Sequence, residues 1–217
     1  MTPGEPNRFS SQVKPPERPV YAIVLAAGES RRCRPHNKLF LPWGESSILE
    51  TVVSRVLASR AGGTLVVTGH QAQRVERQLE RFSCRTVFNP AYRSGMGSSL
   101  VAGLDYWLAR PGLSPAAGFL VALGDQPLIS TATIDRVISA YRGSAAEIVV
   151  PVFRGRRGHP PVFHRRYAAE IREVAGQSGA REILRRHREK ILSVEVETGE
   201  ILSDIDNRES YRRLAPQ

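Results

Sequence analysis

Apolar runs of strand length alternate with amphipathic segments along this chain. The first run, Val20–Ala27, is almost continuously apolar, which is typical of a parallel strand that is covered on both faces. The predicted strands are Val20–Ala27, Thr64–Thr68, Arg85–Phe88, Gly118–Leu123, Glu147–Phe153 and Ile191–Val196. Because strands that alternate with helices pair in parallel, the pattern predicts an α/β fold with a doubly wound, mostly parallel sheet.

Apolar residues at helical spacing fill the segments between these strands. Ser46 and Ser47 are good helix caps, and Ile48, Val52 and Val56 share one face of a helix that runs to about residue 60. Further helices are predicted near residues 71–82, 95–108, 131–141, 165–174 and 179–188, with a short one near the C-terminus. Since nothing helical separates the fifth strand from residues 159–163, that part predicts a small hairpin excursion.

Length and composition place the chain among ordinary globular domains. Its 217 residues can bury a substantial core. Five prolines lie among polar residues at the N-terminus, which predicts a disordered Pro-rich arm over residues 1–19 and one domain over residues 20–217. There is no apolar run of the roughly 20 residues that a membrane span needs, and no apolar core of a signal peptide. We therefore expect a cytoplasmic protein with no membrane partner.

The net charge of +10 suggests an anionic partner, which could be a nucleic acid or a phosphorylated small substrate. Many arginines lie in residues 154–190, but glutamates alternate with them, as on a solvated helix face. Aromatic residues make up only 7% of the chain, which is few for base stacking, and no zinc-finger, RNP or GXXG pattern is present. We therefore predict no nucleic-acid partner.

The loop after the first strand combines a turn glycine with several cations. Gly28 is followed by Ser30, Arg32 and Lys38, at the edge of the sheet where α/β folds bind ligands. Backbone N–H groups with Arg and Lys suit phosphate. The loop is not a P-loop, because Asn37 stands where that motif has glycine before the lysine. The pattern predicts a nucleotide-phosphate loop of another kind.

Two later features agree with this hypothesis. The segment Gly95–Ser99 begins a helix with glycines and serines, although such residues also serve as simple caps. Asp125 follows the buried fourth strand in a tight turn, where an aspartate either binds a metal ion or bonds to local backbone. With carboxylates to hold Mg²⁺ and cations to neutralise phosphates, the set fits nucleotidyl transfer.

Several motifs resemble a known family. The residues LAAG at 25–28, with Ser30, Arg32 and Lys38, resemble the signature loop of the MobA-like nucleotidyltransferases. GMGSSLVAGL (95–104), GDQP (124–127), GHPPVF (158–163) and DID (204–206) resemble the branch that contains the molybdenum cofactor cytidylyltransferases. The resemblance covers residues 20–217. It implies a Rossmann-like nucleotidyltransferase domain that uses Mg²⁺, a nucleoside triphosphate and a molybdopterin-type cofactor.

The resemblance also implies a role for each matching residue. Catalysis would involve Arg32, Lys38 and Asp125. The nucleotide would be bound by Leu25, Ala26, Ala27, Gly28, Ser30, Arg32, Lys38, Gly97 and Ser99. Mg²⁺ would be held by Asp125 and Asp206, with Asp204 as the alternative to Asp206. Gln126 and His159 would face the pterin substrate, although a loop histidine often only bonds to backbone.

Two features of the signature loop concern the choice of nucleotide and the conformation of the loop. Cytidylyltransferases of the family usually have LAAG and guanylyltransferases LAGG, so Ala27 favours CTP over GTP. Arg34 stands where the family usually has glycine, and Cys33 replaces the common methionine. The alternatives are transfer from GTP, transfer to another phosphorylated acceptor, and a non-catalytic chaperone that binds the pterin cofactor. A molybdoenzyme client is a further candidate partner.

Overall fold

The computed structural model describes residues 18–33, 37–176 and 180–216. In chain order, the strands are β1 (Val20–Leu25), β2 (Pro42–Trp43), β3 (Ser46–Ser47), β4 (Thr64–Thr68), β5 (Arg85–Phe88), β6 (Gly118–Leu123), β7 (Ile148–Phe153), β8 (Arg156–Arg157), β9 (Val162–His164) and β10 (Ile191–Glu195). The α-helices are α1 (Ile48–Leu57), α2 (Ala72–Leu79), α3 (Met96–Leu108), α4 (Thr131–Arg142), α5 (Ala168–Val174), α6 (Ala180–Arg186) and α7 (Arg208–Leu214).

Eight of these strands form one sheet in the order β10-β7-β9-β6-β1-β4-β5, with β8 paired to β7. All neighbouring pairs are parallel except those that involve β8 or β9. The predicted doubly wound, mostly parallel sheet is therefore confirmed. β2 and β3 form a separate antiparallel pair.

The hairpin after β7 is larger than the sequence predicts. β8 pairs back onto β7, as expected for a hairpin excursion. β9 then enters the main sheet between β6 and β7, antiparallel to both, and buries Val162 and Phe163. The sequence shows only a short apolar segment here, and its position depends on the gap that β6 and β7 leave between them.

Apolar side chains cover both faces of the sheet. One cluster joins the sheet to α1, α2 and α4, through residues such as Val53, Val75 and Ile138. The other joins it to α3, α5 and α6, through residues such as Leu104 and Ile171. Fully burying one such side chain contributes about 1.5–3 kcal/mol, so helices on both faces dominate the stability of the fold.

The described chain begins with residues that already pack on the domain. The guanidinium of Arg18 donates to the carbonyls of Tyr141 and Ala146 and lies 3.9 Å from the centroid of the Tyr141 ring. The carbonyl of Pro19 accepts a hydrogen bond from Gly118. The packed chain thus extends two residues before the predicted start of the domain, and the rest of the predicted arm lies outside the described residues.

The helices in the described ranges are too short or too polar to cross a membrane.

The start of α1 offers a direct test of this local structure. Ser47 and Glu50 form a capping box, and the Ser47 hydroxyl also accepts a hydrogen bond from Gln78 Nε2 at 2.6 Å. We expect Ser47→Ala to lower the free energy of unfolding by about 1–2 kcal/mol, because backbone and side-chain donors lose their acceptor. Urea denaturation measures this.

Ser83→Ala is the matched control, since Ser83 is exposed and its side chain makes no hydrogen bond with any described residue. Equal unfolding midpoints for the two variants would contradict the assignment of the cap.

Candidate active site

A cleft of about 460 Å³ opens at the edge of the sheet where β1, β5 and β6 end. It is lined by the loops after those strands, the start of α3 and the segment before α7. The predicted site residues that line it are Leu25, Ala26, Ala27, Gly28, Ser30, Arg32, Lys38, Ser99, Asp125 and Asp206. Parallel strands bring these distant positions together because their carboxyl ends meet at one edge.

A buried asparagine organises the loop after β1. Asn37 is 6% exposed, and its Oδ1 accepts from the Ser30 hydroxyl at 2.9 Å and from the Leu39 amide at 3.1 Å. Its Nδ2 donates to Gln71 Oε1 at 3.2 Å. Ser30 itself adopts a left-handed backbone conformation, with φ of 49°. Sequence reasoning missed this role of Asn37, although asparagine is a common cap before a helical turn such as Lys38–Phe40.

Lys38 joins two carboxylates in the cleft. Its Nζ lies 2.5 Å from Asp125 Oδ2 and 3.5 Å from Asp206 Oδ1. Burial alone would lower the pKa of Lys38, but the charge and hydrogen bond of Asp125 outweigh burial and raise it. The ammonium is therefore charged at neutral pH. Arg32 is exposed and reaches Asp206 at 3.4 Å.

The backbone near the C-terminus brings the second carboxylate to this position. The Ile205 amide donates to the carbonyl of Asp125 at 3.0 Å, so Asp206 follows directly beside Asp125. Burial raises the pKa of Asp204, and the charges of Asp206 and Asp125 raise it further. Because Asp206 contacts the Lys38 ammonium, the geometry favours Asp206 over Asp204 as the partner of Asp125.

The start of α3 serves packing as well as the cleft. Asn89 is buried, and its Nδ2 donates to the hydroxyls of Ser98 at 2.9 Å and Ser99 at 3.0 Å. A Cβ added at Gly97 would lie 2.0 Å from the carbonyl oxygen of Ala175, so only glycine allows α3 to approach the end of α5. Gly97 is not among the residues that line the cleft. Its predicted contact with the base stays a prediction.

Gln126 and His159 are not among the residues that line the cleft. Gln126 is 5% exposed, and its Oε1 is buried with no hydrogen-bond partner among the described residues, in an apolar space beside Ile129 and Pro160. His159 donates its amide to the Ile201 carbonyl at 3.1 Å. Burial lowers the pKa of His159, and the nearby Asp125 carboxylate only partly offsets this effect. Their predicted contact with the pterin substrate stays a prediction.

The cleft also contains residues that no motif pointed to. Tyr92 and Arg93 line the side formed by the turn after β5, next to Met96 of the GMGSSLVAGL motif, which is 53% exposed. The segment carries no turn or ligand pattern that would have identified it. Arg34, which the sequence singled out, lies outside the described residues.

Comparisons with known proteins identify the family of this chain. The MobA-like NTP transferase domain family matches residues 22–191. The chain belongs to this family. The expected resemblance is therefore confirmed, and the protein is a nucleotidyltransferase-family domain.

Individual relatives differ in their reported activities. The nicotine blue oxidoreductase of Paenarthrobacter nicotinovorans is 30% identical over 90% of this chain and 96% of its own length. The molybdenum cofactor cytidylyltransferase of Escherichia coli is 28% identical over 88% of this chain and 93% of its own length. Rv0371c of Mycobacterium tuberculosis in complex with manganese superimposes with a TM-score of 0.74 at 27% identity, covering 92% of this chain and 98% of that chain.

Two acidic residues in the cleft have a chemistry that fits a divalent cation. Within the described ranges, no group of three or more His, Cys, Asp or Glu side chains is arranged to hold a metal ion. Asp125 and Asp206 nevertheless share one ammonium, so their oxygens face a common point. Mg²⁺ is commonly held by one or two carboxylates, with substrate phosphates and waters completing its shell.

Two glycines of the family motifs have opposite surroundings, and this gives a test. An added Cβ at Gly28 would contact nothing within 4 Å, whereas one at Gly97 would meet the Ala175 backbone. We expect Gly28→Ala to unfold at the wild-type temperature but to lose most of the thermal stabilisation by a nucleoside triphosphate, because the methyl group fills space in the cleft.

Gly97→Ala is the matched variant for folding. It should destabilise the domain by about 1–3 kcal/mol, since backbone has to move to admit the methyl group. Loss of stability in Gly28→Ala, or none in Gly97→Ala, would contradict the geometry.

Proposed function

We propose that the protein transfers CMP from CTP to a molybdopterin-type molybdenum cofactor, with Mg²⁺ and with release of pyrophosphate. The observation that carries the proposal is the position of Lys38 between Asp125 and Asp206, in a cleft that is also lined by residues 25–28. A molybdoenzyme client would receive the product.

The reaction makes few covalent demands on the protein. A phosphate oxygen of the acceptor attacks the α-phosphorus of CTP, the bond from that phosphorus to the bridging oxygen breaks, and pyrophosphate leaves with the electron pair. Arg32 and Lys38 would neutralise the triphosphate, and the backbone of Ala26–Gly28 would orient the base and ribose. Bound to Asp125 and Asp206, Mg²⁺ would supply further charge neutralisation at the phosphates.

The preference for CTP rests on the surroundings of Ala27. Its Cβ lies 2.8 Å from the position that a Cβ at Gly69 would take, so the methyl group packs against the end of β4 while the residue lines the cleft. An extra methyl at this place changes the room beside the nucleotide. The similarity to a cytidylyltransferase supports the same choice. GTP and other phosphorylated acceptors are the alternatives that substrate assays separate.

A second candidate function comes from the relative named nicotine blue oxidoreductase, which is slightly more similar in sequence than the cytidylyltransferase. An oxidoreductase would change the redox state of its substrate and consume no CTP. A non-catalytic pterin-binding chaperone would retain the cofactor and also consume no CTP. The carboxylate–lysine cluster favours triphosphate chemistry over both.

The activity assay combines the purified protein with CTP or GTP, Mg²⁺ and molybdenum cofactor, and measures pyrophosphate. We expect release with CTP, and a fall of at least about a hundredfold in Arg32→Ala and Asp125→Asn, because charge stabilisation of the phosphates is lost. Asp105→Asn is the control, since Asp105 pairs with Arg172 on an exposed surface outside the cleft. No pyrophosphate with either nucleotide would refute the proposal.

Nucleotide choice has its own test. We expect Ala27→Gly to shift the ratio of kcat/KM for GTP over CTP toward GTP by about tenfold, the scale of one methyl group in a pocket. Competition between the two nucleotides in one reaction measures the ratio. An unchanged ratio would show that selection lies elsewhere in the cleft.

A further inference from the structure

The C-terminal helix packs on a hydrophobic cluster of its own. Ile205 is 1% exposed and contacts Trp43 and Ile48, and Tyr211 and Leu214 pack against this group. The rings of Trp43 and Tyr211 have centroids 6.5 Å apart. The cluster therefore fastens α7 to the β2–β3 pair, which follows directly after the Lys38 turn.

A polar contact strengthens this attachment. The Tyr211 hydroxyl donates to the carbonyl of Pro42 at 2.8 Å. Tyr211 does not line the cleft, and it makes no contact with Asp125 or Lys38. Whatever it contributes to the site must therefore pass through the backbone of the C-terminal segment.

Several hydrogen bonds fix the backbone around Asp206. Ile205 donates to the Asp125 carbonyl at 3.0 Å, and the Asp206 amide donates to the Ser210 hydroxyl at 3.1 Å. The Asp206 carbonyl lies 3.5 Å from the Cys33 thiol, which donates to it. The position of Asp206 is thus set by the way residues 205–211 pack.

Electrostatics makes such anchoring necessary. Asp125 and Asp206 share one ammonium, and their carboxylates would repel each other if Lys38 turned toward a phosphate. The Asp206 side chain is 44% exposed, so little packing surrounds the carboxylate itself. The backbone that carries Asp206 must therefore resist this repulsion. It is supported by the hydrophobic cluster that contains Trp43, Ile205 and Tyr211.

We propose that Tyr211 and Trp43 are positioning residues, which hold Asp206 at the distance from Asp125 that a divalent cation requires. The inference rests on the proposed function, in which these two carboxylates bind the ion. Groups outside the first layer of ligands commonly affect metal affinity by orienting the ligands. The hydrophobic cluster would act in this way through the main chain.

The test titrates the full-length protein with Mn²⁺ and follows the EPR signal of free Mn²⁺. We expect Tyr211→Ala to weaken Mn²⁺ binding by about tenfold. CTP binding in EDTA, measured by calorimetry, should stay at the wild-type value, because Tyr211 is not among the residues that line the cleft. Arg212→Ala is the matched control, since Arg212 is the next residue of α7 and is exposed; it should bind Mn²⁺ as the wild type does.

Two further variants, Tyr211→Phe and Asp206→Asn, separate the positioning role of Tyr211 from the proposed metal site itself. Tyr211→Phe keeps the ring and removes only the bond to Pro42, so it should weaken Mn²⁺ binding by about threefold; it decides alone if Tyr211→Ala does not fold. Wild-type Mn²⁺ affinity in the folded Tyr211 variant, with weakened binding in Asp206→Asn, would overturn the positioning role only. Wild-type affinity in Asp206→Asn would overturn the proposed metal site and this inference with it.

Discussion

The contact of Lys38 with Asp125 and Asp206 connects three parts of the chain that are far apart in sequence. Lys38 belongs to the loop after β1, Asp125 follows β6, and Asp206 precedes α7. The Lys38 ammonium and the Asp125 carboxylate are both largely buried, and each offsets part of the cost of burying the other. The loop, the sheet edge and the C-terminal segment therefore have to fold into register with one another.

Several residues that a motif marks as functional also serve to bring backbone segments together. Gly97 admits the carbonyl of Ala175 beside α3, and a Cβ at Gly158 would lie 2.3 Å from the carbonyl oxygen of Ile201. These contacts hold α5 and the turn before Asp204 against the sheet edge. A motif in this family can thus reflect close packing around the cleft as well as contact with a ligand.

Much of the architecture was accessible from hydrophobic patterning. The bounds of β4, β5 and β6 agree with the predicted strands, because turn residues delimit each short run; β4 and β6 are buried, whereas β5 is largely exposed at the edge of the sheet. β1 ends at Leu25 instead of Ala27, since the Ala27 carbonyl leaves the ladder to accept from the His70 amide. The place of β9 inside the sheet could not be predicted, because a three-residue strand carries no information about its neighbours.

The site divides in the same way. The sequence by itself determined which charges could meet, because parallel strands deliver the residues after them to one edge, and LAAG, Lys38 and Asp125 all follow such strands. Only the tertiary structure decided that Asn37 holds the loop, that Gln126 is buried beside apolar residues, and that Asp206 shares Lys38 with Asp125. The reason is physical: local patterns specify which residues lie at an edge, whereas burial and pairing depend on segments far away in the chain.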